Sequence, residues 1–265
     1  MYETHYHRAS SAEDAVEKMG TADDGKYMSG GQTLIPTMKQ RLAAPSDLID
    51  LGHIDAMKGI TVDNGKVTIG AATTHAEVAS STELGSACSG IASLAGHIGD
   101  PHVRNMGTIG GSIANNDPAA DYPAAMLALN AEIMTTKRTI PADEFFTGMF
   151  ETALEEDEII TAISYQAPQK CAYAKFPNPA SRYAMAGVFV AQHADGVRVG
   201  VTGAGSDGVF RHSAMEDALN ASWSSDAAAA CDVDEADMLS DIHGDAAYRA
   251  NLVKVMAKRA VEAAG

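Results

Sequence analysis

The sequence predicts an α+β fold in two unlike parts, and three observations carry that prediction. Up to about residue 167, short strand-like runs and helical runs follow one another, whereas beyond Pro168 three strands come first and helices follow. Two stretches, Ser29–Pro36 and Gly107–Tyr122, gather glycines and hydroxyl residues after apolar runs. Two dipeptides, Asn64-Gly65 and Asp195-Gly196, stand between apolar segments and read as hairpin turns.

Taken in order, Glu3–Arg8 is β-branched or aromatic enough for a strand. Ser10, with Glu13 three residues on, forms a capping-box pattern ahead of Ala15, Val16 and Met19. Lys26–Ser29 reads as a strand that delivers the first glycine stretch, Leu34–Gln40 as a short helix and Asp47–Leu51 as a strand, together a small βαβ-like unit. Ile60–Val62 and Lys66–Ile69 flank the first hairpin turn. Thr73 or Thr74 caps a helix through Ala79, and Thr82 caps a longer one to about His97. Asp121–Leu129 reads as a helix, and Ala131–Thr136 and Glu158–Tyr165 as strands. In the second part the strands are Cys171–Phe176, Met185–His193 and Val197–Thr202. Helices follow at Ser213–Asn220, Asp226–Ala230 and about Asp245–Ala264.

The 265 residues, 46% of them hydrophobic, are enough to bury a substantial core. No run approaches the apolar length of a membrane span, and Met1–His7 lacks the order of a signal peptide. Three dispersed cysteines exclude a disulfide framework and an iron–sulfur cluster ligated wholly within the chain, so cytoplasm is the expected compartment. A formal charge of −16 argues against non-specific nucleic-acid binding, which relies on clustered Lys and Arg.

The two glycine stretches carry the chemistry. Glycine takes positive φ and lets a ligand approach the backbone, and successive free N–H groups form a concavity that favours phosphate oxygens. Either stretch alone reads as a tight surface turn. Two of them, Ser29-Gly30-Gly31-Gln32-Thr33-Leu34 and Thr108-Ile109-Gly110-Gly111-Ser112, point to one dinucleotide held from two sides. Gly203-Ala-Gly205-Ser-Asp-Gly208 also fits a dinucleotide fingerprint after a strand, but Val209-Phe-Arg-His212 opens no apolar helix, so it reads as a loop. His5 and His7 alternate on a strand without a third metal ligand nearby, and no catalytic nucleophile–base set is recognisable. The chain thus offers a cofactor cradle, no metal site and no catalytic residues of its own.

Together, Ser29-Gly-Gly-Gln-Thr-Leu-Ile-Pro, Thr108-Ile-Gly-Gly-Ser-Ile-Ala-Asn and Asp117-Pro-Ala-Ala-Asp resemble the FAD-binding medium subunit of molybdenum hydroxylases, especially that of aerobic carbon monoxide dehydrogenase. Leu42-Ala-Ala-Pro-Ser-Asp-Leu-Ile-Asp-Leu, Lys175-Phe-Pro-Asn-Pro-Ala-Ser-Arg-Tyr-Ala, Ser240-Asp-Ile-His and Tyr248-Arg-Ala-Asn-Leu extend the resemblance over essentially the whole chain. It implies a two-lobed α/β FAD domain over 1–167, with lobes of about 1–55 and 56–167. A C-terminal three-stranded antiparallel sheet with helices is implied over 168–265. It also implies that Ser29–Leu34 and Thr108–Ser112 hold the FAD diphosphate. On the same resemblance Asp121 is an acid at the cofactor, Lys175 a cation near the flavin and Tyr183 an aromatic beside its ring.

The function so implied is electron transfer within a complex. Substrate is oxidised at a molybdenum cofactor on a large subunit, and electrons pass through two 2Fe–2S clusters of a small subunit to this FAD, then to a diffusible acceptor. A dimer of heterotrimers is the implied assembly, and carbon monoxide or an aromatic heterocycle the substrate. A free-standing flavin oxidase of the related FAD fold is the alternative; its covalent anchor would fall to His75, His97 or His102. The acid-rich tail, Asp232-Val-Asp-Glu-Ala-Asp237, departs from the family pattern but lies away from these motifs.

Overall fold

The computed structural model describes residues 1–265. The chain opens with β1 (His5–Arg8), α1 (Ala12–Thr21), β2 (Gly25–Met28), α2 (Leu34–Lys39) and β3 (Asp47–Asp50). Their three strands are parallel in the order β1-β3-β2. Parallel neighbours need a crossover, and α1 and α2 supply those on either side of β2. The cap of α1 lies one residue later than expected. Ser11 accepts from the Asp14 backbone N–H at 3.1 Å, while the Ser10 backbone N–H and hydroxyl bind the Asp14 carboxylate. That start places Ala15 fully in the core.

β4 (Ile60–Asp63) and β5 (Lys66–Gly70) form the expected hairpin, with φ of +49° at Asn64 and +81° at Gly65 as a type I′ turn requires. Six helices follow: α3 (His75–Ser80), α4 (Thr82–Ala87), α5 (Ser89–Gly96), α6 (Pro101–Met106), α7 (Ile109–Asn115) and α8 (Tyr122–Ala128). The chain then runs through β6 (Glu132–Thr135), β7 (Thr139–Pro141), α9 (Ala142–Phe145), β8 (Phe146–Gly148), β9 (Glu151–Thr152) and β10 (Ile160–Gln166). An antiparallel five-stranded sheet results, ordered β4-β5-β10-β6-β7.

Two expectations fail here. The single helix from Thr82 to His97 is broken, because Cys88 takes an extended φ of −153° that carries its thiol into the core; α4 is capped by Ser81. Gly107–Tyr122 is no open turn: Ile109–Asn115 is helical. Thr108 caps this helix by accepting from the Gly111 N–H, and Ile109 and Ile113 are fully buried. Packing of that apolar face overrides the poor helix propensity of two adjacent glycines.

The last part holds β11 (Lys170–Pro177), β12 (Ala184–His193), β13 (Gly196–Thr202), β14 (Phe210–Arg211), α10 (Ser213–Ala221), α11 (Ser225–Ala230) and α12 (Ala246–Ala264). Its antiparallel sheet has four strands, not three. Positive φ at Gly203 (+79°) and Gly208 (+104°) bends the chain back, so Phe210 and Arg211 pair with Val201 and Gly200. The glycine fingerprint therefore joins two strands.

Both faces of this sheet are covered, and the side-chain alternation of a strand sorts the residues between two cores. Ala186, Val188 and Val190 of β12 face a 20-residue cluster with α12, while Phe189 and Ala191 join a 38-residue cluster reaching back to Ala9. Cys171 and Tyr173 of β11 belong to the larger cluster. No helix is long and apolar enough to cross a membrane.

Candidate functional site

A cleft of about 900 Å³ opens where the three parts meet, within the size range of small-molecule sites. One wall is the β2–α2 loop, Ser29 to Leu34. The floor is the first turn of α7. Phe150 and Ser181–Tyr183 stand on further sides.

The β2–α2 loop leaves its donors open. The backbone N–H groups of Gly30, Gly31, Gln32, Thr33 and Leu34 have no acceptor within the chain; the first donor paired again is Ile35, to the Gly31 carbonyl at 3.0 Å. Gly31 makes this possible with φ of +67°, a conformation unfavourable for other residues. Gly30 is required for a different reason. A Cβ there would lie 2.1 Å from the Met106 carbonyl oxygen, so the loop could not rest against the α6–α7 junction.

The α7 turn has spent its donors. Ile109 N–H goes to the Thr73 carbonyl (3.1 Å), Gly110 N–H to the Ala71 carbonyl (2.9 Å) and Gly111 N–H to the Thr108 hydroxyl (3.2 Å). Gly110 packs tightly, since a Cβ would stand 2.5 Å from the Ala71 Cβ. Gly111 instead faces the gap between the loops: only Thr108 Oγ1 (2.9 Å) and Ser29 Cβ (3.6 Å) come near an added Cβ. The loops meet through a hydroxyl bond, Ser29 Oγ to Thr108 Oγ1, at 2.8 Å. A doubly negative group set between them would meet the free N–H groups and Ser29 on one side and Thr108 and Ser112 on the other, with one hydroxyl proton of the Ser29–Thr108 pair already engaged. FAD, with its diphosphate, fits this cradle.

Of the remaining expected residues, Tyr183 lines the cleft and is 47% exposed. Asp121 and Lys175 come together but do not line it. Lys175 Nζ lies 2.9 Å from Asp121 Oδ2 and 3.3 Å from the His97 carbonyl, and Tyr173 donates to Asp121 Oδ1 at 2.5 Å. Their side chains are 4% and 6% exposed, for lysine and aspartate respectively. Burial lifts the Asp121 carboxyl above the ordinary carboxylate range; the Lys175 charge and the Tyr173 hydroxyl oppose that. Ile109 is likewise buried beneath the cleft.

Sequence reading gave Asp117 and Arg182 no place of their own in the cleft. Asp117 and Arg182 sit inside motifs noticed for other members, and only chain folding shows their part. Arg182, at φ of +64°, donates to the Gly99 carbonyl at 3.1 Å and so ties the β11–β12 connection to the α5–α6 connection. Burial raises the carboxyl of Asp117. His75 was weighed only as a covalent anchor, and among the three histidines so weighed it alone lines the cleft. Its imidazole is lowered to about 4, first by burial and then by Arg104, and its Nδ1 has no hydrogen-bond partner. His7, for its part, pairs with Asp47 at 2.6 Å.

With this geometry in place, the comparisons with known proteins converge. The family described as "FAD binding domain in molybdopterin dehydrogenase" matches residues 2–165. The chain is 35% identical to the nicotine 6-hydroxylase medium subunit of Paenarthrobacter nicotinovorans, over 98% of this chain and 96% of that one. It is 34% identical to the carbon monoxide dehydrogenase medium chain of Hydrogenophaga pseudoflava, with the same coverage. Reconstituted CO dehydrogenase from Oligotropha carboxidovorans superposes with a TM-score of 0.89 at 33% identity, covering 100% of this chain and 99% of that one. The chain belongs to the FAD-binding medium subunits of the molybdenum hydroxylases, oxidoreductase subunits whose cofactor is FAD.

Proposed function

We propose that this chain carries FAD in the cleft and works as the electron-transfer subunit of a molybdenum hydroxylase complex, most like aerobic carbon monoxide dehydrogenase. Its partners are a large subunit with the molybdenum cofactor and a small subunit with two 2Fe–2S clusters, in a dimer of heterotrimers in the cytoplasm. Residues 1–167 form the FAD-holding unit, and 168–265 the C-terminal unit. The observation that carries this reading is the row of unpaired N–H groups from Gly30 to Leu34, on a loop that lines one cleft together with Thr108 and Ser112.

Bound FAD supplies the redox chemistry, connecting single-electron carriers to an external acceptor. The protein's own tasks are to bind and to orient. The N–H row and the Ser29, Thr108 and Ser112 hydroxyls hold the diphosphate, and the bare α-carbon of Gly111 leaves it room. Tyr183 packs beside the ring at the mouth. The Asp121–Lys175 pair sets β11 against α8 from behind, and through β11 it positions the connection that bears Tyr183. Substrate chemistry belongs to the large subunit, for carbon monoxide or an aromatic heterocycle.

The test is cofactor identity and electron source in the purified chain. Denaturation should release FAD rather than FMN, leaving none attached. The refilled chain should accept electrons from an artificial reductant and none from carbon monoxide or heterocycles. Substrate-dependent flavin reduction without molybdenum, or flavin retained on the denatured chain, would favour the free-standing oxidase.

A further inference from the structure

Two of the three cysteines, 83 residues apart in sequence, meet in the larger core with Sγ atoms 3.2 Å apart. Cys88 sits in the break between α4 and α5, and Cys171 is the second residue of β11; they are 1% and 7% exposed. Gly90 brings them together. A Cβ at that position would lie 3.1 Å from Cys171 Sγ and 3.1 Å from Ala172 Cα, so only glycine lets α5 rest this closely on the strand. The same two elements are pinned again at their other ends, where Lys175 of β11 donates to the carbonyl of His97 just past α5.

We propose that Cys88 and Cys171 are an oxidisable dithiol site, closed to a disulfide by hydrogen peroxide, which locks α5 onto β11. The reaction begins at Cys171, the less deeply buried of the two residues. Its thiol is held below the ordinary cysteine range, first because the Cys88 thiol donates to it and also by the Gly90 N–H, while burial acts against this. Cys88 is correspondingly held well above that range. The Cys171 thiolate attacks one peroxide oxygen, the O–O bond breaks, and the departing hydroxide takes up a proton to become water. Sulfur of Cys88 then displaces the sulfenic oxygen as a second water. Two thiols lose two electrons, and one peroxide becomes two waters. Bringing the sulfurs from contact to the ~2.05 Å of a disulfide needs about 1 Å of approach.

The test uses the FAD-loaded full chain, treated with a few equivalents of hydrogen peroxide, denatured and alkylated. The expected product is 2 Da lighter before alkylation, takes one alkyl group (on Cys231) instead of three, and yields a cross-linked peptide containing Cys88 and Cys171. Dithiothreitol should reverse all three changes. The closed loop is long, so the oxidised chain should melt roughly 5–10 °C higher. Cys171→Ser should show neither the mass loss nor the Tm shift. Should that variant fail to fold, the wild-type peptide map still decides. Three alkylated cysteines after treatment, sulfinic or sulfonic acids without the cross-link, or a disulfide formed only between copies through Cys231 would each overturn the proposal.

Discussion

In the β2–α2 loop five consecutive backbone N–H groups, Gly30 to Leu34, lack acceptors; in the first turn of α7, Ile109, Gly110 and Gly111 have each found one. Both segments are built from glycine and hydroxyl residues, yet glycine serves opposite ends in them. Gly31 holds a left-handed conformation in a loop whose donors stay unpaired, whereas Gly110 brings a helix against Ala71 so closely that its donors are consumed. The first loop leaves its donors open to a ligand; the second has used its donors to hold the fold. Their shared hydroxyl bond, Ser29 to Thr108, sets the distance between the two segments.

The largest effect should come from outside both loops and bound the comparison. Lys175→Ala strands the buried Asp121 carboxyl and should cost about 3–5 kcal/mol, read by chemical denaturation. The sign with pH follows from Asp121. Its folded-state pKa lies above the unfolded value, so the native state holds the proton more tightly and stability falls as pH rises through that window. Loss of Lys175 removes the main charge opposing that shift, so the deficit should be larger at pH 7 than near the ordinary carboxylate pKa. A deficit independent of pH would contradict the buried-pair reading.

Gly110→Ala tests the framing role. Forcing a methyl into the Ala71 contact should cost about 1–3 kcal/mol of stability, with FAD affinity unchanged in the fraction that folds. Gly111→Val should give the complementary outcome: FAD binding weakened at least tenfold, on the order of 1.4 kcal/mol, because the side chain fills the gap between the loops. The reason is space. Gly111 is helical, and no left-handed conformation is at stake. Equal flavin affinity in Gly111→Val and wild type, measured by fluorescence titration, would move the diphosphate elsewhere. The smallest effect on flavin should come from Gly205→Ala, whose Cβ would press on the Gly208 carbonyl at 2.5 Å, outside the cleft lining. Flavin per folded chain should not change; a loss would mean the third glycine motif takes part.

Local signals explain what was legible. Asn64-Gly65 fixes its hairpin from two residues, and Thr74 with Glu77 forms the full capping box at α3. Loop Ser29–Leu34 was readable because positive φ and open donors are properties of a short stretch. The α7 helix was not, since its stability comes from Ile109 and Ile113 reaching a core assembled from distant segments. Nor was the break at Cys88, whose thiol meets another 83 residues away in the core. β14 rests on two residue pairs, too few to leave a periodic pattern. The resemblance supplied Asp121 and Lys175 as residues near the cofactor; that they pair with each other outside the cleft lining depends on a contact across 54 residues.

The division between a binding loop and a framing turn is tested most directly by hydrogen–deuterium exchange of backbone amides with and without FAD. Peptides covering 30–34 should exchange quickly in the flavin-free chain and slow by an order of magnitude or more on loading, because their N–H groups gain acceptors only then. Peptides covering 109–111 should be protected already and change little. Protection of 109–111 appearing only with FAD, while 30–34 exchange at the same rate in both states, would contradict it.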